Sequence, residues 1–418
     1  MLSRFYVLLI NPLAAFLLFW RWFKGRDTAS SLRERLCLDI GTPQTNIWVH
    51  AASIGEVSGT RSLIAELTKL GPVLLTVHTK AAFDLASKWE IEGLRLRLSP
   101  LDALGATGRF LRQVQPRVLL SVEQEFWLTR FRQCHRRGIP ILGVSTRMGE
   151  ASSVARECIA LMDRYWPMDV LNADRVTKMT GSDAKAGPLY NPKLALPVPV
   201  ETPQPDPALA KWLQSNKPII LAASLHHEDE APLVKVIQEV SQRHPDIRFV
   251  IAPRHPRRAA HLIPLFEGHN LRYAQRSQKQ SAQDEDQIYL ADTLGEMPLW
   301  YSVAPLTMIC GSFANRGGHT PVEPVIYGSF PVFGPDMNNH MPARALFLKC
   351  GGGKEIAQYD ELLDLLDIPG WDIVTRERAA SASHALEAFR TEVHEVEQEI
   401  LEQTKDHVDS RAAKSALH

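Results

Sequence analysis

Gly311–Pro324 reads GSFANRGGHTPVEP and directly follows a short apolar run, Leu306–Cys310. Small residues close the run, Gly317 and Gly318 allow a sharp turn with close backbone approach, and a helix is expected to begin near Pro321. A strand that turns through glycines into a helix is the repeating unit of a parallel α/β sheet. The first N–H groups of a helix lack partners inside it, so such a turn also suits a phosphate. On this reading Ser312, Gly317, Gly318 and Thr320 surround the nucleotide end of a ligand, and Glu323, one turn into the helix, accepts hydrogen bonds from a ribose diol.

The same rhythm extends outward in both directions. Ile219–Ala223, Phe249–Ala252, Ile288–Ala291 and Pro331–Phe333 read as further buried strands in the second half. Asn46–Ala51, Val73–Thr79, Val118–Val122 and Ile139–Val144 do so in the first, each followed by an amphipathic stretch. Between the halves, residues 191–207 hold six prolines and read as a linker. The fold class is therefore α/β, with two Rossmann-like domains facing a cleft, ligands being expected beyond the C-terminal ends of the strands. The boundaries predicted are 1–28 for an N-terminal membrane-associated helix, 29–195 for the first domain and 196–207 for the linker. The second domain is then 208–385, and 386–418 is a polar, solvated closing helix.

Composition narrows the function. Lys+Arg and Asp+Glu both number 47 in 418 residues, so the basic excess of a nucleic-acid binder is missing. The five cysteines are scattered without a C-x-x-C pair, which fits reduced structural thiols and neither a zinc site nor a disulfide framework. Neither half opens with G-x-G-x-x-G after its first strand, which disfavours a dehydrogenase. Phe5–Phe23, FYVLLINPLAAFLLFWRWF, is of marginal length for a membrane span, and Arg21, Lys24 and Arg26 follow or end it with Trp20 and Trp22. A membrane anchor or interfacial helix, a cleaved signal and a buried core helix are the three readings; no small-residue cleavage site supports the second. The basic flank puts the body of the protein on the cytoplasmic side.

Candidate chemistry lies where strands end. In His50-Ala-Ala-Ser-Ile-Gly-Glu56, Glu56 is either a general base taking a proton from an attacking hydroxyl or an acid serving a helix N-terminus. Glu123 and Glu125, in EQEFW, either bind a polar acceptor or form a solvated pair. Arg147 can clamp a carboxylate or phosphate with its fork. Arg254 and His255, in PRHPRR, place cations at a strand end, His255 being equally a structural residue. DTLGEM, Asp292–Met297, opens a helix, with Asp292 or Thr293 alternatively its cap.

Taken together and in order, the apolar N-terminus, HAASIGEV, EQEFW, PRHPRR, DTLGEM and GSFANRGGHTPVEP resemble the Kdo (3-deoxy-D-manno-octulosonic acid) transferase family of lipopolysaccharide biosynthesis. The resemblance implies an inverting glycosyltransferase of GT-B architecture that uses CMP-Kdo as donor and a lipid A precursor as acceptor. It implies no metal or other cofactor, no nucleic-acid partner, and residence at the cytoplasmic face of the cell inner membrane. By motif, Glu56 falls on the family's general base and Glu125 on its second important acid, while Arg254, Met297, Gly317, Gly318 and Glu323 fall on positions around CMP. The chain departs from the family pattern at Thr320, where Asn is usual, and at Leu128, where Pro is usual. Ser145-Thr146-Arg147 replaces N-A-R, Lys185 is displaced by one position, and Asp336 stands in the usual G-P-H segment. These departures leave open a paralogue with another sugar acid or acceptor, a UDP-sugar-using relative, and a catalytically silent membrane scaffold.

Overall fold

Where a strand is buried on both faces, nothing forces its residues to alternate in polarity, and the central strands of this chain are accordingly unbroken apolar runs. The computed structural model describes residues 28–38, 45–149, 152–195, 204–205, 207–213 and 217–416. They fall into two compact units. One contains the described residues before Leu196 together with those from Arg390 onward; the other contains those from Pro197 to Phe389. The apolar N-terminal stretch, and most of the proline-rich linker, lie outside the described residues. Among the described residues no helix is long and apolar enough to cross a membrane.

The first unit is built on six parallel strands: β1 (Ile47–His50), β2 (Val73–Val77), β3 (Leu94–Leu98), β4 (Val118–Val122), β5 (Ile141–Thr146) and β6 (Arg164–Pro167). Their order across the sheet is β3-β2-β1-β4-β5-β6. This is the doubly wound order, with the direction of winding reversing between β1 and β4. Ile47 pairs with Val73 on one side and Val118 on the other. Trp48, Leu74 and Leu119 point from these strands into a core that also takes Phe110 and Phe131 from the covering helices.

The second unit has seven parallel strands: β7 (Ile219–Leu225), β8 (Arg248–Pro253), β9 (Tyr273–Gln275), β10 (Ile288–Leu290), β11 (Leu306–Ile309), β12 (Phe330–Phe333) and β13 (Lys354–Glu355). They run in the order β13-β12-β11-β7-β8-β10-β9, so the winding reverses between β7 and β11. Along β7, Ile220 and Ala222 enter one core and Ile219, Leu221 and Ala223 the other, the two-residue period of a strand covered on both sides.

The closing helix differs from its expected form in two ways. It begins at Trp371 rather than 386 and runs to Ala416. It is also not a solvated tail. Trp371 and Ala379 enter the second unit's core, and Gly352 packs so tightly against Ala382 that an added Cβ would overlap it. Beyond Arg390 the helix is bound to the first unit. Glu397, only 4% exposed, accepts hydrogen bonds from Tyr190 Oη (2.8 Å) and Ser62 Oγ (3.2 Å). Arg164 pairs with Glu399 at 2.5 Å, and Arg411 donates to the Gly138 carbonyl.

Candidate functional site

Two side-chain clusters form at the two places where the winding reverses, one in each unit. In the first unit β1 ends in small residues, and Ser53 caps the helix Ile54–Gly59, its hydroxyl accepting from Glu56 N. The Glu56 carboxylate folds back over the same turn, accepting from Ala52 N (2.6 Å) and Ser53 Oγ (2.9 Å). The helix-end role and a position at the sheet's C-terminal edge are therefore both present. Burial raises the Glu56 pKa. The Ala52 and Ser53 hydrogen bonds oppose the rise, and the charges of Glu123 and Glu125 add to it. A carboxylate made more basic in this way is suited to accept a proton near neutral pH.

Across the reversal, β4 delivers Glu123 and Glu125, and neither is a solvated acid. Glu123 sits at φ 54° and is paired with Lys193 Nζ at 2.5 Å. Glu125 Oε2 meets His50 Nε2 at 3.0 Å and accepts from Trp127 Nε1 at 2.5 Å. Burial works against the Glu125 charge, yet the hydrogen bond and charge of His50 win and hold its carboxyl well below the usual range. His50 is fully buried, which together with Arg130 lowers its pKa to about 4 despite the Glu125 contact. At neutral pH we therefore describe the pair as a carboxylate beside a neutral imidazole. His78, at the end of β2, stacks on Trp127 with ring centroids 5.0 Å apart and an interplanar angle of 6°.

Two other cations of the first unit have different surroundings. Arg147 lies just past β5 and is exposed, beyond Ser145 at φ 51° and a shift of the β5–β6 register. Lys185, the displaced lysine, donates to the carbonyls of Ala160 and Met162 at 2.8 and 2.6 Å, closing the helix Ser153–Leu161.

In the second unit β7 delivers His226 and β11 delivers the Gly311–Pro324 loop. The loop is anchored by Asp229, which is 1% exposed. Asp229 Oδ2 accepts from Gly311 N (2.8 Å) and His226 N (3.3 Å), and Oδ1 accepts from Tyr359 Oη (2.8 Å). Tyr359 in turn stacks on Phe313 of the loop, centroids 4.1 Å apart. His226 and His319 stack with their Nε2 atoms 2.9 Å apart, a contact that requires one ring to donate and the other to accept. Burial, then His226 and Arg254, lower the His319 pKa to about 4, and burial also lowers that of His226.

The loop glycines do something other than the sequence suggests. Gly317 N donates to Asp336 Oδ2 (2.7 Å) and Gly318 N to the Gly311 carbonyl (3.1 Å), so both amides are committed within the protein. Their φ values of 79° and 68°, with Asn339 and Met337 packed where a Cβ would stand, make them the hinge that shapes the loop. Asp336, a departure from the family pattern, thus has a local structural partner. Ser312 is likewise committed, its buried hydroxyl bridging the Ile309 carbonyl and Gly334 N at 2.5 and 2.7 Å.

Thr320 Oγ1 accepts from Val322 N at 3.3 Å at the start of a five-residue helix, Val322–Ile326. Glu323 lies on that helix; desolvation by the surrounding protein raises its pKa, and a Tyr301 hydrogen bond opposes the rise. Arg254 and His255 are exposed at the end of β8, and Met297 is half-buried at the first position of its helix. Asp292 does not cap that helix. It accepts from Ser277 N (2.8 Å) and Gln275 Nε2 (2.7 Å), tying the end of β10 to β9, because the helix begins only after Glu296.

Sequence reading missed His226, Asp229 and His78. His226 carried a usable signal, since it follows an apolar run as directly as Arg254 does.

Comparison with known proteins adds the following. Residues 30–195 match the sequence model of the 3-deoxy-D-manno-octulosonic-acid transferase (kdotransferase) family. The 3-deoxy-D-manno-octulosonic acid transferase of Bordetella pertussis is 27% identical over 425 residues, covering 92% of this chain and 97% of that protein. The Rickettsia felis enzyme of the same name is 27% identical over 352 residues, covering 81% of this chain and 75% of its own length. Among solved structures, Anabaena Alr3699/HepE in complex with UDP aligns over 86% of this chain and all of its own (100%), with 12% identity and a TM-score of 0.55. That likeness concerns the fold alone. The C-terminal CMP-Kdo binding domain of WaaA from Acinetobacter baumannii aligns over 42% of this chain and 93% of its own, at 25% identity and a TM-score of 0.40.

Proposed function

We propose that this chain is a member of the 3-deoxy-D-manno-octulosonic acid transferase family and transfers Kdo from CMP-Kdo to a lipid A precursor with inversion at the anomeric carbon. The observation that carries the reading is Glu56. It is a carboxylate whose basicity is raised by burial and by two neighbouring acids, within residues 30–195 that match the family model and where the sheet's winding reverses.

In this mechanism the second unit holds CMP-Kdo. Arg254 and Met297 lie toward the cytidine end, Glu323 takes the ribose diol, and the His319 side of the loop faces the phosphate. The acceptor binds the first unit, where Glu123, Glu125 and Arg147 address its polar groups. Glu56 removes the proton from a glucosamine hydroxyl as that oxygen forms a bond to the anomeric carbon. The bond from that carbon to the phosphate oxygen breaks on the opposite face and CMP departs with the electron pair. CMP is already a good leaving group, so the cation of Arg254 and the polar loop need only stabilise its growing charge. Residence at the cytoplasmic face of the inner membrane, anchored by Phe5–Phe23, completes the proposal; its support is that segment's apolar run and basic flank.

Membranes containing the full chain are to be incubated with CMP-Kdo and a tetraacylated lipid A precursor, and the lipid weighed by mass spectrometry. A gain of one or two Kdo units is expected. No gain with CMP-Kdo, together with turnover when a UDP-sugar replaces it, would overturn the donor assignment.

A further inference from the structure

The carboxylate–imidazole pair of the first unit has a third member that the transfer reaction leaves unused. One donor atom from each of His50, His78 and Glu125 lies within 4.8 Å of the other two. His50 and Glu125 are already 3.0 Å apart, and His78 Nδ1 is buried without a hydrogen-bond partner. Two imidazoles and one carboxylate are the donor set of an open zinc site, in which donors about 2.0–2.1 Å from the ion stand roughly 3.3 Å from one another. The cluster needs to contract by up to about 1.5 Å to reach that spacing, and the half-buried His78, stacked on the face of Trp127, is the member that would move.

What separates this cluster from a chance meeting of polar groups is that each donor is oriented by a partner. His50 Nδ1 meets the Thr76 carbonyl at 3.1 Å and Thr76 Oγ1 at 2.9 Å. A cation on Nε2 would require the tautomer in which Nδ1–H donates to the Thr76 carbonyl, in place of the one in which Nε2–H donates to Glu125. Trp127 Nε1 orients Glu125, and the indole ring positions His78. Such outer partners are the usual companions of metal-ligating histidines and carboxylates. Glu125 supplies the cluster's negative charge, and the Arg130 guanidinium, over the Trp127 ring at 5.8 Å, is a positive charge that the site must tolerate.

We infer that His50, His78 and Glu125 form a binding site for one borderline-soft divalent cation of the Zn²⁺ or Co²⁺ type, with a fourth position left to solvent. The site shares Glu125 with the acceptor side proposed above, the transfer chemistry itself needs no metal, and the test requires no turnover. Purified full chain, stripped with a chelator, is titrated with Co²⁺ while the ligand-field absorption of four-coordinate cobalt is followed; Zn²⁺ is then added in competition. One equivalent per chain is expected, displaced by Zn²⁺. His78→Phe keeps a ring on Trp127 and removes the ligand, and Glu125→Gln removes the charge; each is expected to weaken binding by about 100-fold or more. Thr76→Val, which removes an orienting hydroxyl, is expected to weaken it by about 10-fold. Folding of the variants is checked by circular dichroism. Absence of a four-coordinate band in the wild type, or undiminished one-equivalent binding in folded His78→Phe, overturns the inference.

Discussion

Asp229→Ala tests whether the nucleotide loop is held from beneath by a single buried carboxylate. Three donors converge on it: Gly311 N and Tyr359 Oη at 2.8 Å each, and His226 N at 3.3 Å. With the carboxylate 1% exposed, water has little room to replace it. Each orphaned buried donor costs about 1–3 kcal/mol, so Asp229→Ala should destabilise the second unit by roughly 3–5 kcal/mol. Asp229→Asn separates charge from shape. Its carbonyl can still accept from the two amides, while Tyr359 Oη rotates to accept from the new NH₂ group. A loss of about 1–2 kcal/mol is then expected, mainly from the charge assistance. Tyr359→Phe removes one bond and should cost about 1 kcal/mol. Urea unfolding gives the energies, and hydrogen–deuterium exchange of the peptide spanning Gly311–Gly318 gives the local readout. The Ala variant should exchange fastest, Asn next, and CMP affinity should fall in the same order. An Ala variant within 1 kcal/mol of wild type, or unchanged loop exchange in it, would refute the anchoring role.

Glu56→Gln should abolish transfer while CMP-Kdo affinity stays within about threefold, since the donor is assigned to the other unit; in the wild type, turnover should fall as pH drops through the raised Glu56 pKa. Retained turnover in Glu56→Gln would remove it from the mechanism. Acid should weaken the fold earlier than carboxylates alone predict. His50, His78 and His319 have folded pKa values below the ordinary 6.5, so their stability contribution is full above that value and is lost as pH falls toward about 4 for His50 and His319 and about 3 for His78. Urea midpoints flat between pH 7 and 5 would contradict this sign. Tyr190→Phe should cost about 1–2 kcal/mol by removing one of two hydrogen bonds to buried Glu397, and should increase exchange in the helix beyond Arg390. Unchanged exchange there would show that the apolar contacts of Val393, Val396 and Ile400 suffice.

The amino-acid sequence by itself determined the α/β class and the central strands, because a strand covered on both faces must be apolar throughout. The strands it did not reveal are the edges: β3 and β6 in one sheet, β9 and β13 in the other. Leu94–Leu98 alternates leucine with arginine, and Lys354–Glu355 is too short to carry a period, since an edge is only partly buried. Glu56 was legible with its local partner, Ser53, three residues away, because a helix start is a local event. The remaining contacts were not. Glu125 meets His50 across 75 residues, Gly311 meets Asp229 across 82, His226 meets His319 across 93, and Tyr190 meets Glu397 across 207. Local pattern records which positions are buried and where an element begins. Which strand ends become neighbours is decided by the order of strands across each sheet, and that order is a property of tertiary packing. The loop at Gly317-Gly318 shows the difference: its glycines could be read from the chain, but only Asp336, Asn339 and Met337 packed against them show that they shape the loop rather than donate to a phosphate.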